Sequence, residues 1–284
     1  MRSKLDTRAI GLDVGLAFTK WLTGAENLHY GLWDGIEPTA GNLRKAQDAY
    51  TEKLFSFLPR GNLKILDIGG GAGETAGKLC ALGHRVDIIV PSAYLASRCR
   101  ENAPRARVHE MRFEDFREDQ KFDLCLFSES YQYIPLEVGL TKCARLLSPE
   151  GHVLLADCFR SDAFDGSDHA VVGGGHRLAD FKRALPDTPF THITQVDITD
   201  SVAPSVDLEQ ALFNVVGHAV SRIDNELAEK RPRLRWLIQR ALRTLVSKRR
   251  RHRLDQRLNE TLRNSEVFRR NNRYVISLLK LQSA

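Results

Sequence analysis

The sequence lacks any apolar run that approaches the roughly 20 residues of a membrane-spanning helix. Its first stretch, Met1 to Ile10, carries charges and no apolar segment like that of a secretory signal peptide. The five cysteines are scattered, with no Cys-x-x-Cys pair and no His/Cys cluster, which argues against disulfides and zinc sites. We therefore expect free thiols, no metal site and a cytoplasmic protein.

The apolar residues that are present, 42% of 284, suffice for a sizeable core in one large domain or in one domain with an appendage. Charge is distributed unevenly along the chain. Residues 226–273 contain 16 Lys/Arg and 5 Asp/Glu, a net +11 within a chain of net +6, so the rest of the chain is net −5. An acidic partner is therefore to be sought at this late segment.

An apolar run that ends on a carboxylate and enters closely spaced glycines organises the chain. Residues 64–68, Lys-Ile-Leu-Asp-Ile, pass directly into residues 69–73, Gly-Gly-Gly-Ala-Gly. Such a strand–turn–helix lets the backbone approach a ligand closely and aims free N–H groups at it. The Gly-x-Gly-x-x-Gly spacing of dinucleotide turns differs from the Asp-x-Gly-x-Gly-x-Gly found here, and the lysine of ATP-binding loops is absent. The alternative is a glycine-rich loop that only turns.

The spacing from Asp67 to Gly73 resembles motif I of the class I methyltransferases, which bind S-adenosyl-L-methionine (SAM). This resemblance implies SAM as the cofactor, with the turn shaping the pocket for its methionine part and Gly73 allowing close helix packing. The residues that it assigns to the cofactor site in this turn are Asp67, Gly69, Gly70, Gly71 and Gly73. A second stretch, residues 146–155, resembles the segment around strand five of small-molecule methyltransferases.

Strand-like and helix-like segments alternate after the glycine turn, which indicates an α/β, doubly wound parallel sheet. The further predicted strands are Arg85–Val90, Ala106–Met111, Phe122–Phe127, His152–Asp157, Thr191–Ile198 and Arg273–Lys280. The resemblance implies a seven-stranded, Rossmann-like methyltransferase sheet whose last strand inserts antiparallel. Ligand is then expected at the carboxyl ends of the strands, where the glycine turn lies.

Four segments follow from this pattern. Residues 1–60 are predicted to form an N-terminal helical lid and residues 61–200 the SAM-binding core. Residues 201–270, too long for a simple crossover, are predicted to form a helical, basic acceptor cap, followed by the last strand in 271–284. The region from Cys158 to His176 is also expected to help build the acceptor site.

The second strand departs from the family pattern. In the family an acidic residue ends this strand and holds both ribose hydroxyls, whereas here Val90 stands at that position. Asp87 lies three residues earlier and, with period-2 alternation, faces the other side. Other groups, among them Ser92, are left to hold the ribose, or SAM affinity is reduced.

Two further segments match places where the family contacts its cofactor. Glu114, Asp115 and Phe116 follow the third strand, where the adenine is bound; an acidic side chain could accept from its amine while Phe116 covers the ring, and a solvated acidic turn is the alternative. Ser128, at the end of strand four, is a further cofactor candidate.

The run Ser-Glu-Ser-Tyr at residues 128–131 lacks the Pro-Pro-Tyr type motif of base-directed amino methyltransferases. It resembles instead the Glu-Ser segment of tocopherol, sterol and cyclopropane-fatty-acid methyltransferases. By that resemblance, Glu129 is a candidate to orient an acceptor, take a proton or stabilise a cation. Tyr131 is a candidate for the acceptor pocket, with packing beneath the lid as the alternative.

The His-Tyr-Gly-x-Trp pattern at residues 29–33 recurs ahead of motif I in the same group. The resemblance makes Tyr30 a lid residue over the carboxylate of SAM. His29 and His176 are candidate bases, although a single histidine is often structural.

The late basic segment has helical periodicity. Apolar residues at 234, 237/238, 241/242 and 245 form one stripe beside a cationic face, followed by the basic run 248–253. The helix could pack on the core through its stripe or dock on an anionic membrane through residues 231–253. Nucleic acid is not expected, because no recognition motif accompanies the charge.

These observations predict a SAM-dependent methyltransferase whose acceptor is a small, apolar or amphipathic natural product or lipid-like molecule. One alternative is a cyclopropane-type lipid-modifying enzyme, although the cysteine and histidine of that group's bicarbonate site have no counterpart that can be placed here. The other is a non-catalytic partner protein with the same fold. Self-association is left open.

Overall fold

The computed structural model describes residues 7–166, 172–260 and 262–282, with side chains from residue 11 onward. Its centre is one seven-stranded sheet. The strands are β1 (Lys64–Ile68), β2 (Arg85–Val90), β3 (Arg107–Glu110), β4 (Phe122–Ser128), β5 (Leu147–Arg160), β6 (Phe190–Asp197) and β7 (Asn272–Leu281). Their order is β3-β2-β1-β4-β5-β7-β6, with β1 to β5 parallel and β7 antiparallel to both of its neighbours. The predicted doubly wound sheet is confirmed.

Helices cover both faces of the sheet. They are α1 (Thr7–Thr23), α2 (Leu43–Phe55), α3 (Glu74–Ala81), α4 (Ala93–Asn102), α5 (Leu136–Leu146), α6 (Leu178–Ala184), α7 (Thr199–Val202), α8 (Pro204–Lys230), α9 (Pro232–Leu245), α10 (Lys248–Asn259) and α11 (Ser265–Asn271). One apolar core joins the sheet to α2, α3, α4 and the start of α8, and a second joins it to α5 and α6. The central strands β1, β2, β4 and β5 are mostly buried, which explains their nearly continuous apolar runs.

The largest difference from the sequence-based boundaries concerns β5. The strand was expected to begin at His152, after a turn made by Ser148, Pro149, Glu150 and Gly151, but it already begins at Leu147. Glu150 has a φ of 63°, and the register between β4 and β5 shifts between Phe122 and Leu124. The Pro-Glu-Gly sequence therefore makes an irregularity inside a long strand instead of separating two elements.

The segment before β7 is helical, as predicted, and α10 crosses α8 closely. A Cβ atom added at Gly217 would collide with the carbonyl oxygen of Leu258. Two turns further along α8, Asp224 makes a bidentate ion pair with Arg235 of α9 at 2.8 and 2.9 Å. Within the described ranges, no helix is both long and apolar enough to cross a membrane.

Candidate functional site

A cavity of about 860 Å³ opens at the carboxyl ends of β1, β2 and β4. Its walls come from α1, the segment that follows α1, the glycine turn, the start of α4 and the end of β4. The lining residues lie in 12–13, 26–29, 67–72, 74–75, 89–95, 112–114, 128–130 and 133–134. This is the position at which parallel α/β sheets bind their ligands.

The glycine turn has little or no room for side chains at Gly70 and Gly73, whereas Gly71 faces open space. A Cβ atom at Gly70 would lie 2.5 Å from Asp67 Oδ2, and one at Gly73 would lie 2.8 Å from the Cα atom of Cys99 in α4. At Gly71 a Cβ atom would meet nothing closer than Leu28 Cδ1 at 3.9 Å, across open space. Gly71 also has a φ of 57°, which a side chain would strain. The turn thus presents bare backbone to the cavity while α3 packs tightly on α4.

Three buried polar atoms on the cavity walls have no hydrogen-bond partner. They are Asp13 Oδ1, Asn27 Nδ2 and Asp67 Oδ2. Burial without a partner is costly, so such atoms call for an explanation. The two acceptor oxygens complement the ammonium and ribose hydroxyl groups of SAM, and the donor nitrogen complements its carboxylate. The residues present therefore fit this cofactor.

Asp67 is 1% exposed, and burial raises the pKa of its carboxyl to about 7. Because its Oδ2 has no partner, this shift has no compensating hydrogen bond or charge. A bound ammonium group would supply both. The environment of Asp67 is therefore suited to a ligand that carries an ammonium group.

The segment that closes one wall is anchored by Glu26. This carboxylate accepts hydrogen bonds from Lys20, Arg98 and Asn102, with atoms 2.6 to 2.8 Å apart. Burial opposes its ionisation, but these bonds outweigh burial and lower the pKa of Glu26 to about 2. The cluster fixes α1 and the following residues on α4.

Glu129 ends β4 at the cavity wall in a strained left-handed conformation, with a φ of 57°. Its N–H donates to Ala156 O at 2.8 Å, and its Oε1 accepts from the N–H of Tyr30 at 2.8 Å and from the hydroxyl of Tyr274 at 2.9 Å. Burial raises the pKa of its carboxyl to about 7. A positioned group that titrates near neutral pH suits proton transfer.

Two tyrosines that sequence reasoning missed support Glu129 from below. The Tyr50 and Tyr274 hydroxyls lie 2.8 Å apart, and Ser128 Oγ lies 3.2 Å from that of Tyr50. When Glu129 is ionised, these hydroxyls can donate in sequence from Ser128 to Glu129. The sequence does contain a weak signal for Tyr50. Ala46, Tyr50 and Leu54 are four residues apart and share the buried face of α2, so the hydroxyl of Tyr50 lies in the core.

His29 lines the cavity, as expected, but its chemistry differs from that of a strong base. Its Nδ1–H donates to Tyr30 O at 2.8 Å, and its ring stacks on Tyr50 with centroids 4.5 Å apart. Burial lowers the pKa of His29 to about 4. The ring therefore stays neutral near pH 7, and Glu129 is the better proton acceptor.

Other predicted residues lie outside the cavity lining. Tyr131 is fully buried beside Phe127 and Phe181, and its hydroxyl is satisfied by donating to Leu136 O. The Nε2–H of His176 donates to Ile134 O at 2.8 Å, so this ring supports the cavity wall from behind. Neither residue takes the acceptor-facing position that the sequence suggested.

The residues expected to contact adenine, Glu114 to Phe116, only partly line the cavity. Phe116 is 1% exposed and packs on His109 and Phe122, so it cannot cover a ligand in the cavity. Asp115 is exposed and also lies outside the lining, whereas Phe113 and Glu114 belong to it. A short 3-10 helix over Phe113–Asp115 turns these side chains in different directions.

Tyr30 also differs from its expected place. Its ring packs against Phe268 and Tyr274, with centroids 6.0 and 6.2 Å away, and does not belong to the cavity lining. Its backbone N–H, which holds Glu129, is the part that reaches the site. Of the Cys158–His176 region, residues 167–171 lie outside the described part of the chain, as do residues 1–6 of the lid.

The departure in the second strand is as the sequence indicated. Val90 lines the cavity, whereas Asp87 does not, and Asp87 Oδ2 accepts from His109 Nε2 at 2.8 Å. Ser92 lines the cavity while its Oγ caps α4 by accepting from Leu95 N at 3.3 Å. For the residues that the structure describes, no group of side chains suits a metal ion.

Comparison with known proteins shows what part of the chain is similar to a known family. Residues 66–155 match the family model described as a methyltransferase domain. No curated protein matches the sequence significantly. Residues 66–155 thus resemble a methyltransferase domain, which agrees with the resemblance that the sequence indicated.

Solved structures of similar fold span nearly the whole chain. A putative sarcosine dimethylglycine methyltransferase from Galdieria sulphuraria is 20% identical, with a TM-score of 0.65, covering 95% of this chain and 99% of that one. Geranyl diphosphate C-methyltransferase from Streptomyces coelicolor A3(2) is 16% identical, with a TM-score of 0.65 and coverages of 93% and 91%. A cyclopropane synthase from Mycobacterium tuberculosis is 15% identical, with a TM-score of 0.65 and coverages of 99% and 100%. At these identities the likeness concerns the fold.

Proposed function

We propose that this protein transfers a methyl group from SAM to a small, apolar or amphipathic acceptor that enters beside Glu129. The observation that carries the proposal is the cavity at the glycine turn, where unpartnered buried atoms fit SAM and a carboxyl that titrates near pH 7 forms one wall. When bound, SAM supplies an electrophilic methyl group. Asp67 and Asn27 hold its amino-acid part, and the turn excludes water beneath it.

Glu129 is proposed to act on the acceptor. Both of its hydrogen bonds within the described residues end on Oε1, so Oε2 is available to a substrate group. For an acceptor O–H or N–H, the acceptor atom forms its bond to the methyl carbon as the carbon–sulfur bond breaks, and the acceptor proton passes to Glu129. For an alkene acceptor, the carboxylate would stabilise the cation formed after transfer.

The lipid-like class of acceptor is supported by α9. This helix has no buried residue, and its apolar stripe stays uncovered: Leu234 is 46%, Leu237 56% and Leu245 82% exposed. The sequence left open whether the stripe packs on the core, and in the structure it does not. Basic residues flank it and continue into α10. We propose that α9 and α10 rest on an anionic membrane from which a lipid-like acceptor is drawn.

Titration calorimetry with S-adenosylhomocysteine tests the cofactor site. We expect micromolar binding to the wild type and none to Gly71→Arg, whose side chain would fill the open space in front of Leu28. The control is Gly41→Arg, at a glycine with no neighbour within 4 Å of its added Cβ atom and outside the cavity. Folded wild type that does not bind would overturn the enzyme and favour a non-catalytic partner protein.

The acceptor is then sought by incubating the protein with radiolabelled SAM and a panel of isoprenoid, fatty-acyl, phenolic and amine compounds. Transfer of label to one class names the substrate class. Glu129→Gln is expected to lower the rate about 100-fold while affinity for S-adenosylhomocysteine stays within twofold. A variant that keeps the full rate would remove Glu129 from the chemistry.

A further inference from the structure

The ribose of SAM lacks its usual partner in this chain. Val90 supplies no hydrogen-bond acceptor at the end of β2, and Asp87 is engaged by His109. Ser92 Oγ accepts from Leu95 N, and Glu74 Oε1 accepts from Glu26 N at 2.9 Å, so each of these groups already uses part of its acceptor capacity within the protein. A vicinal diol offers two O–H donors, which need an acceptor nearby.

Asp13 is an acidic side chain at this cavity that has no other assigned role. It lies in α1 and lines the cavity together with Leu12. Its Oδ1 is buried and has no hydrogen-bond partner. The atom is therefore desolvated without compensation, in the way expected of a group that awaits a ligand.

The packing of α1 indicates that Asp13 lies toward the end of β2, where Val90 stands in place of an acidic residue. Asp13, Leu16, Ala17 and Lys20 share one face of the helix by their spacing. Beyond Asp13, this face meets Tyr94 and Arg98 of α4 around a shallow pocket, and Lys20 pairs with Glu26. Asp13 lies one turn closer to the N-terminus on the same face, and it lines the cavity that residues 90–95, from the end of β2 and the start of α4, also line.

We propose that Asp13 accepts hydrogen bonds from the ribose hydroxyls of SAM and thereby replaces the acidic residue missing at Val90. This inference rests on the proposed function. It makes α1 a part of the cofactor site, so that the lid supplies binding energy and does not merely cover the ligand.

Calorimetry with three ligands tests the assignment. S-Adenosylhomocysteine contains amino acid and ribose, 5′-methylthioadenosine lacks the amino acid, and 2′,3′-dideoxy-S-adenosylhomocysteine lacks the hydroxyls. We expect Asp13→Ala to weaken the first two more than tenfold by the same factor and to leave the third unchanged. Asp13→Asn, which keeps the shape, is expected to lose several-fold, and Asp119→Asn at an exposed site is the control.

Each outcome separates the inference from the proposed function. Wild type that fails to bind S-adenosylhomocysteine overturns both. Wild-type binding with unchanged affinity in Asp13→Ala overturns the inference alone. A loss seen with S-adenosylhomocysteine but not with 5′-methylthioadenosine would place Asp13 at the amino group and likewise overturn the ribose assignment. Circular dichroism of each variant shows that α1 and the core remain folded.

Discussion

Glu129 combines a strained backbone, burial and two hydrogen bonds on one oxygen. A left-handed glutamate is uncommon, because a Cβ atom is disfavoured there. The bond from its N–H to Ala156 and the bonds from Tyr30 and Tyr274 hold the side chain despite that strain. Removing one of the donors to the carboxylate should therefore change its acidity more than its position.

Tyr274→Phe removes a hydrogen bond that stabilises the ionised carboxylate of Glu129. Burial already raises the pKa of Glu129 to about 7, and this bond opposes the rise. We expect the variant to raise this pKa further by about one unit, the size of one charge-assisted hydrogen bond. NMR titration of carboxyl-labelled glutamate measures it. Tyr131→Phe, at a buried tyrosine outside the cavity, is the control, and an unchanged or lower pKa in Tyr274→Phe would contradict the expectation.

Asp67→Asn should make the stability of the ligand-free protein less dependent on pH. Burial raises the pKa of Asp67 in the folded state to about 7, against 3.8 for the unaffected group. The folded chain then binds more protons than the unfolded chain between these values, so stability falls as pH rises from about 4 to 7. An asparagine does not ionise, and we expect the variant to be more stable than wild type at pH 8, with a smaller difference at pH 5.

Urea unfolding at both pH values, without ligand, measures this difference. Asp119→Asn at an exposed site serves as control and should follow the wild type. The same Asp67→Asn substitution should weaken S-adenosylhomocysteine binding, because it removes the charge opposite the ammonium group. A wild type whose stability rises from pH 5 to pH 8 more steeply than that of Asp67→Asn would show that the carboxylate has a partner in the folded protein.

At the residue scale, spacing predicted the turn from Asp67 to Gly73 because glycines leave a legible pattern. The partners of Glu129 could not be predicted in this way. Tyr50 and Tyr274 lie 224 residues apart and meet only through the fold. Asn27 and Asp13 carry no motif, and what marks them is an unpartnered atom, which only the structure reveals.

At the scale of elements, the sequence located the strands to within a few residues. The central strands β1, β2 and β4 are largely apolar because they are buried in the sheet, and the edge strand β6 mixes apolar and polar residues. The start of β5 was misjudged because Pro149 and Gly151 usually signal a turn, whereas here they lie within an irregular strand. The amphipathic stripe of α9 predicted a helix correctly. Periodicity cannot tell what covers an apolar stripe. In the described part of the structure, no residue of α9 is buried, so its stripe is not covered.

Gly217→Ala should destabilise the helical insertion without affecting the cofactor site. Its Cβ atom would collide with Leu258 O, where α10 crosses α8. Overpacking of this kind costs about 1–3 kcal/mol. We expect faster limited proteolysis in α8 to α10 and a lower melting temperature, with unchanged affinity for S-adenosylhomocysteine. Gly11→Ala, at an exposed position in α1 with no neighbour near its Cβ atom, is the control. Equal proteolysis of both variants would mean that α8 and α10 do not pack as described.

At the scale of the whole molecule, charge and exposed apolar area coincide. The late segment, residues 226–273, has a net charge of +11, and the rest of the chain is net negative. Two copies that met through α9 would bring like charges together, so self-association through this surface is disfavoured. Nucleic acid would satisfy the charge but leave Leu237, Ile238 and Leu242 exposed. An anionic membrane satisfies both.

Vesicle co-sedimentation tests this surface with the full chain. We expect binding to vesicles that contain phosphatidylglycerol, little binding to pure phosphatidylcholine, and weakening at high salt. Each basic residue near an anionic surface contributes about 1 kcal/mol, so Arg240→Gln with Arg243→Gln should weaken binding roughly 30-fold. Leu242→Ser with Leu245→Ser should also weaken it, because apolar insertion adds to the charge.

The matched control is Val215→Ser with Val220→Ser, which removes two exposed apolar side chains from α8 instead of α9. If it weakens binding as much as the α9 pair does, the membrane contact is not confined to α9. Equal binding to neutral and anionic vesicles would remove the electrostatic part of the proposal, and binding to neither would remove the membrane altogether. In that last case, gel filtration of the α9 variants would decide whether the stripe instead joins two copies of the chain.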